Sequence, residues 1–178
     1  MFFADKAMRK VALLAVSLFV CLPPVSPATK YPLSGDAYVC FVTKPFDFPI
    51  GTRRVEVLKS LGPPTKERRS TRKNPHDSTV TDVFHDFWYN GLMLRTAWFP
   101  AATPPSSALL LVVVTSRKHR LKHQLQVGSP KRDVLRVLGS PESGIKTQRW
   151  SYSADTVSLE FTFENNRVSR IRWSSDWD

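Results

Sequence analysis

Two segments of the chain carry the same fourteen-residue pattern, 77 residues apart. Gly51-Thr-Arg-Arg-Val-Glu-Val-Leu-Lys-Ser-Leu-Gly-Pro-Pro64 aligns without a gap on Gly128-Ser-Pro-Lys-Arg-Asp-Val-Leu-Arg-Val-Leu-Gly-Ser-Pro141. Identities fall at Gly51/Gly128, Val57/Val134, Leu58/Leu135, Leu61/Leu138, Gly62/Gly139 and Pro64/Pro141. An echo at fixed spacing is the mark of a duplicated structural unit, and it constrains the architecture more than any other feature of the chain. Each copy reads as one short helix. Ser129 suits an N-cap and Pro130 the first helical position, where a missing N–H costs nothing. Asp133 in the first turn favours the helix dipole. Val134, Leu135 and Leu138 share a face, Gly139 suits the C-terminal cap, and Pro141 stops the helix. Thr52–Pro64 repeats the scheme. Helices of about three turns are marginal alone and need a sheet to lie on.

Strands follow each helix. In the second copy Gln148–Tyr152 opens a meander, and Val157-Ser-Leu-Glu-Phe-Thr-Phe163 alternates, placing Val157, Leu159, Phe161 and Phe163 on one face. Val168–Trp173 returns beside it. A three-residue loop, Asn165–Arg167, pairs Phe161 with Ile171, Leu159 with Trp173 and Glu160 with Arg172. A two-residue loop would set Glu160 against Ile171 and mix the faces. In the first copy, Phe87–Tyr89 corresponds to Trp150–Tyr152, and Leu92–Phe99 is the second strand. Leu109–Thr115 is the third, apolar on both sides and so expected to be buried on both or to lie where two sheets meet. Thr65–Thr81 reads as a solvated basic loop, and Pro100–Ser107 as a rigid connector. The expected fold is α+β: two tandem repeats, each a short helical segment packed on an antiparallel β-meander. Residues 29–126 form the first repeat and 127–178 the second, and their sheets share a concave docking surface.

Residues 1–28 read as a secretory signal peptide: Lys6, Arg9 and Lys10, then the apolar run Val11–Leu22, then Ser26-Pro27-Ala28. The run is too short and wrongly flanked for a membrane span. Cys21 follows Phe19-Val20 rather than the small residues an acylated cysteine needs, and it reads as part of the signal. Cys40 would then be the single cysteine of the mature chain, a small buried hydrophobe with no partner for an internal disulfide. The whole chain has a net charge of +11; without Lys6, Arg9, Lys10 and Asp5 it is +9. In an exported protein that charge points away from nucleic acid and towards anionic envelope surfaces or acidic proteins.

A Gly-[Ser/Thr]-x-x-x-[Glu/Asp]-Val-Leu-x-x-Leu-Gly-x-Pro helix is followed by a Trp/Tyr-bearing strand, an alternating strand and a Val-x-x-Ile strand. This order resembles the SmpA/OmlA (BamE-like) family over about Ile50–Trp173. Two tandem copies look like the BLIP-like fold of a secreted β-lactamase inhibitor. The resemblance implies a non-catalytic, protein-binding module of the bacterial cell envelope, with an assembly or inhibitor-like role, and no individual functional residue is carried over from it.

Candidate chemistry is sparse. His119 and His123 are four apart, so a helix would put both on one face as a possible metal pair, but no third ligand is evident and lysines and arginines surround them. His76-Asp77 and His85-Asp86 stand near no nucleophile motif. An envelope hydrolase or metal-binding protein using His76, His85, His119 or His123 is the alternative function. The favoured reading is a binding module without cofactor or metal, whose partner is another envelope or secreted protein, an acidic one included. Its candidate contacts are Lys66, Arg68, Arg69, Arg72 and Lys73 of the basic segment, with the aromatics Trp98 and Tyr152.

Overall fold

The computed structural model describes residues 32–75 and 77–176. The expected signal peptide and His76 lie outside the described residues. The elements, in chain order, are α1 (Gly35–Thr43), α2 (Arg54–Leu61), β1 (Lys66–Lys73), β2 (Thr81–Tyr89), β3 (Leu92–Phe99), β4 (Ser106–Val114), a 3-10 turn at Lys122–Gln124, α3 (Lys131–Leu138), β5 (Arg149–Ala154), β6 (Val157–Glu164) and β7 (Arg167–Ser175). All seven strands belong to one antiparallel sheet, ordered β1-β2-β3-β4-β7-β6-β5. No helix among the described residues is long and apolar enough to cross a membrane.

This corrects the expected fold. The chain does not form two tandem repeats with a helical segment on each meander. Leu111–Val114 of β4 pairs with Ile171–Ser174 of β7, which joins the strands on either side into a single sheet. The reason lies in β4. An apolar strand with one free edge would leave a row of backbone donors and acceptors beside exposed hydrophobic surface, and pairing with β7 removes both costs at once. Phe41 and Val42 of α1, Val57 of α2, and Val134, Val137 and Leu138 of α3 all join one buried cluster with the inward residues of the sheet. A single sheet offers no concavity shared between two sheets.

The helices sit where the pattern predicts, with different caps. Arg53, not Thr52, caps α2: the Arg53 and Thr52 amides donate to the Glu56 carboxylate at 3.2 and 3.1 Å. Pro130 takes the N-cap position of α3. The Ser129 hydroxyl instead accepts from the Gln126 amide at 3.0 Å, and the Ser129 carbonyl accepts from Val168 at 2.9 Å, which ties the helix start to β7. Gly62 and Gly139 adopt φ of 75° and 76°, and their amides close the last turns onto Leu58 and Leu135. Tyr89 then donates to the Gly62 carbonyl and Tyr152 to the Gly139 carbonyl, each at 3.1 Å. The repeated sequence thus marks a repeated local device, a helix end satisfied by a strand tyrosine.

Two further expectations change. Thr65–Thr81 is not one loop: its cationic part, Lys66–Lys73, is β1, an eight-residue edge strand paired along its whole length with β2. Its side chains are polar on both faces, so hydrophobic periodicity carries no strand signal. Cys40 is exposed rather than buried, because α1 turns the adjacent Phe41 and Val42 inward and successive helical residues cannot all face the core.

Register in the β6–β7 hairpin is as predicted: Phe161 opposite Ile171, Leu159 opposite Trp173, Glu160 opposite Arg172. The loop is not. Glu164 pairs with Arg167 across a two-residue turn, Asn165-Asn166, both at positive φ (50° and 60°). A bulge between Thr162/Phe163 and their partners, Val168 and Arg170, inserts Ser169 and restores the faces. The centre of the inward face is covered. Phe87, Leu94, Val112, Leu159, Phe161 and Ile171 have no exposed surface, and the Trp173 indole N–H donates to the Val42 carbonyl at 3.0 Å.

Because one core serves the whole sheet, chemical denaturation followed by tryptophan fluorescence and by far-ultraviolet circular dichroism should give one coincident transition. Ile171→Ala should lower stability by about 2–5 kcal/mol without splitting it. Two separable transitions would show independently folding halves.

Candidate binding surface

The sheet's second face bears charge where the first bears hydrophobic groups. Strand alternation places Arg68, Asp86 and Arg95 in line across β1, β2 and β3. Asp86 is almost wholly buried, and both arginines grip it: Arg95 Nε reaches Oδ1 at 2.6 Å, and Arg68 Nη2 reaches Oδ2 at 2.6 Å. A third and a fourth contact at 3.1 Å, from Arg95 Nη2 and Arg68 Nε, complete the clamp. Burial pushes the Asp86 carboxyl up, but the hydrogen bonds from Arg95 and Arg68 outweigh it and hold it below the usual aspartate range. On the far side, Glu160 stands between Arg149 and Arg172, 3.8 Å from each. The uncovered face therefore carries two arginine–acid–arginine sets, each with one surplus positive charge, on either side of β4.

The predicted basic residues all lie on β1. Lys66 and Arg68 project over the Trp88 ring at 5.2 and 5.7 Å, an arrangement in which ring quadrupole and cation attract. Arg69 and Lys73 alternate to the helix-bearing face, and Arg72 stands opposite Asp82. All five are exposed. The acid of the strand, Glu67, is held by a bidentate pair with Arg54 at 2.7 and 3.0 Å and by His85 Nδ1 at 3.1 Å, and its carboxyl lies below the ordinary glutamate range through those partners. What β1 presents is thus dominated by cations, along an edge that among the described residues pairs with β2 alone.

Of the two predicted aromatics, only Trp98 reaches solvent. It is 38 % exposed near the end of β3, whereas Tyr152 is completely buried. Tyr152 has its hydroxyl engaged by the Gly139 carbonyl, and burial, then Tyr38, pushes its phenol upward. It is a core residue, and alternation with one face covered decides that.

The histidines do not converge. The segment carrying His119 and His123 is not a continuous helix; His123 has φ of 54°. His123 packs on Phe41 and His119 on Phe48, each at 5.5 Å between ring centres. His85 stacks on Phe87, and adjacent positions in β2 send His85 and Asp86 to opposite faces. Among the described residues no three His, Cys, Asp or Glu side chains are grouped to hold a metal ion. Sequence reasoning missed the two arginine–acid–arginine sets. The expected Glu160–Arg172 pairing pointed to one of them, but Arg68–Asp86–Arg95 needed β1 recognised as a strand.

Removing the Asp86 charge tests the clamp. The arginines are about half exposed, so Asp86→Asn should cost about 1–3 kcal/mol, towards the lower end. The folded-state pKa is depressed, so the stabilisation is complete above the ordinary aspartate value of about 3.9 and is lost as pH falls through the lower folded value. Unfolding free energy should therefore fall more steeply below about pH 4 in the native protein than in Asp86→Asn. Parallel acid profiles would show that the clamp does not stabilise the fold.

Comparison with protein-family models, with curated proteins and with solved structures finds no match to this chain.

Proposed function

We propose that the protein is an exported, non-catalytic binding module that captures an acidic, extended segment of another envelope or secreted protein along the β1 edge. The observation that carries this reading is that the cationic segment Lys66–Lys73 forms a regular edge strand with one side unpaired among the described residues. Such an edge offers main-chain donors and acceptors to an incoming strand, and side chains of one sign select the partner. Lysine and arginine on an edge also discourage pairing between copies of the same chain. Both effects act in the same direction: like strands repel and acidic ones are admitted. The positive charge of the whole chain steers such a partner towards the module. In the envelope the module would act as an assembly factor or an inhibitor.

The test uses a fluorescent eight-residue peptide alternating glutamate with threonine and valine. Binding should weaken with salt, and Arg69→Glu with Lys73→Glu should reduce affinity by about tenfold or more. Slowed amide exchange at alternate β1 residues would mark strand addition. Equal binding by the charge-reversed protein would sink the proposal. Intact mass and fractionation of the native protein test export, with a soluble periplasmic or secreted species beginning at Thr29 as the expected result.

A further inference from the structure

The uncovered face contains a cleft of about 780 Å³ that runs from β2 across β3 and β4 to β7 and touches one arginine of each arginine–acid–arginine set. That size lies within the range of small-ligand pockets. Phe84 and Leu111 contribute apolar surface, and Arg95 and Arg172 line it from β3 and β7. Asp82 lines it from β2 and is only 4 % exposed.

Asp82 is the informative residue. Its Oδ2 accepts from Asn74 Nδ2 at 3.0 Å, while its buried Oδ1 has no hydrogen-bond partner among the described residues. Arg72 lies directly opposite it in the β1–β2 register and is exposed. Asp82 is a largely desolvated carboxylate, so a ligand that brings an N–H to the part of it that lines the cleft gains more than the same contact would yield in water. Arg172 complements it. Its Nε lies 3.8 Å from Glu160 and its side chain is 49 % exposed, leaving guanidinium donors available to a carboxylate.

We propose that this cleft binds a short free peptide. The peptide's terminal carboxylate meets Arg172 and Arg95, an amide or ammonium N–H meets the part of Asp82 that lines the cleft, and an apolar side chain rests on Phe84 and Leu111. Asp77 and Asp176 line the cleft beside Asp82, and Arg72 beside Arg95 and Arg172, so groups of both signs face a ligand, and a zwitterion with an apolar body satisfies both signs where a ligand of one charge satisfies one. The site goes beyond the β1-edge reading and stands or falls separately, since the deciding variant, Arg172→Gln on β7, leaves β1 untouched.

The probe is the tripeptide Ala-Leu-Leu with free termini, titrated into the purified protein and followed by amide NMR shifts. Shifts should cluster at Asp82, Phe84, Leu111, Arg172 and Ser174. The carboxy-amidated peptide and the exposed-site variant Arg172→Gln should each weaken binding by about tenfold, and Arg172→Gln should no longer distinguish acid from amide. Asp82→Asn should also weaken binding. If that variant loosens the β1–β2 hairpin, Arg172→Gln still decides the matter. No shifts at millimolar peptide, or equal binding of acid and amide by the native protein, would overturn the proposal.

Discussion

The pairing of β4 with β7 holds the molecule's plan together. Val112 opposite Trp173 and Val114 opposite Ile171 form the centre of a buried cluster to which all three helices contribute. Without that ladder the chain would have two small sheets, each with an apolar edge and too few helices to cover it. With it, every inward residue from Phe87 on β2 to Tyr152 on β5 shares a single core. Cross-strand pairs of this kind are the unit of sheet stability, and these are buried.

Placing all helices on one face determines what the other face must be. A sheet face left to water has to carry polar groups, and alternation delivers them at fixed positions across neighbouring strands. Here they are not scattered. An acid in β2 and another in β6 each lie between arginines, so the surface is locked into a defined pattern of charge. Asp86 is buried by the two guanidinium groups that neutralise it, and the surplus charge of each set remains outward. The cleft arises next to both because β4 contributes Leu110 and Leu111 rather than charges to that face, and the bulge opposite Arg95/Thr96 adds one residue there.

The fold was unevenly legible in the chain. The two helices, the β6–β7 register and the inward placement of Trp173 follow from periodicity, because each is decided by near neighbours. The loop in that hairpin was misjudged: Asn165-Asn166 signals a two-residue turn, and the compensating bulge at Ser169 has no sequence mark of its own. β1 was missed because an edge strand solvated on both faces has no apolar alternation to read. Cys40 and Tyr152 were misplaced for a common reason. Whether a residue in an apolar or aromatic context is covered depends on which face the rest of the molecule packs against.

By itself, then, the sequence determined the local elements: helix positions set by Gly62 and Gly139 with their preceding apolar stripes, strand faces set by alternation, and a chain rich in positive charge. Only the tertiary structure decided that the strands form one sheet, that Lys66–Lys73 lies along its edge, and that Asp82 is buried with one oxygen unpartnered. Those features depend on contacts between residues as far apart as β1 and β2, or β4 and β7. Backbone hydrogen bonding between strands is the same for any pair of side chains, so which strands meet is settled by where the shared core can be buried.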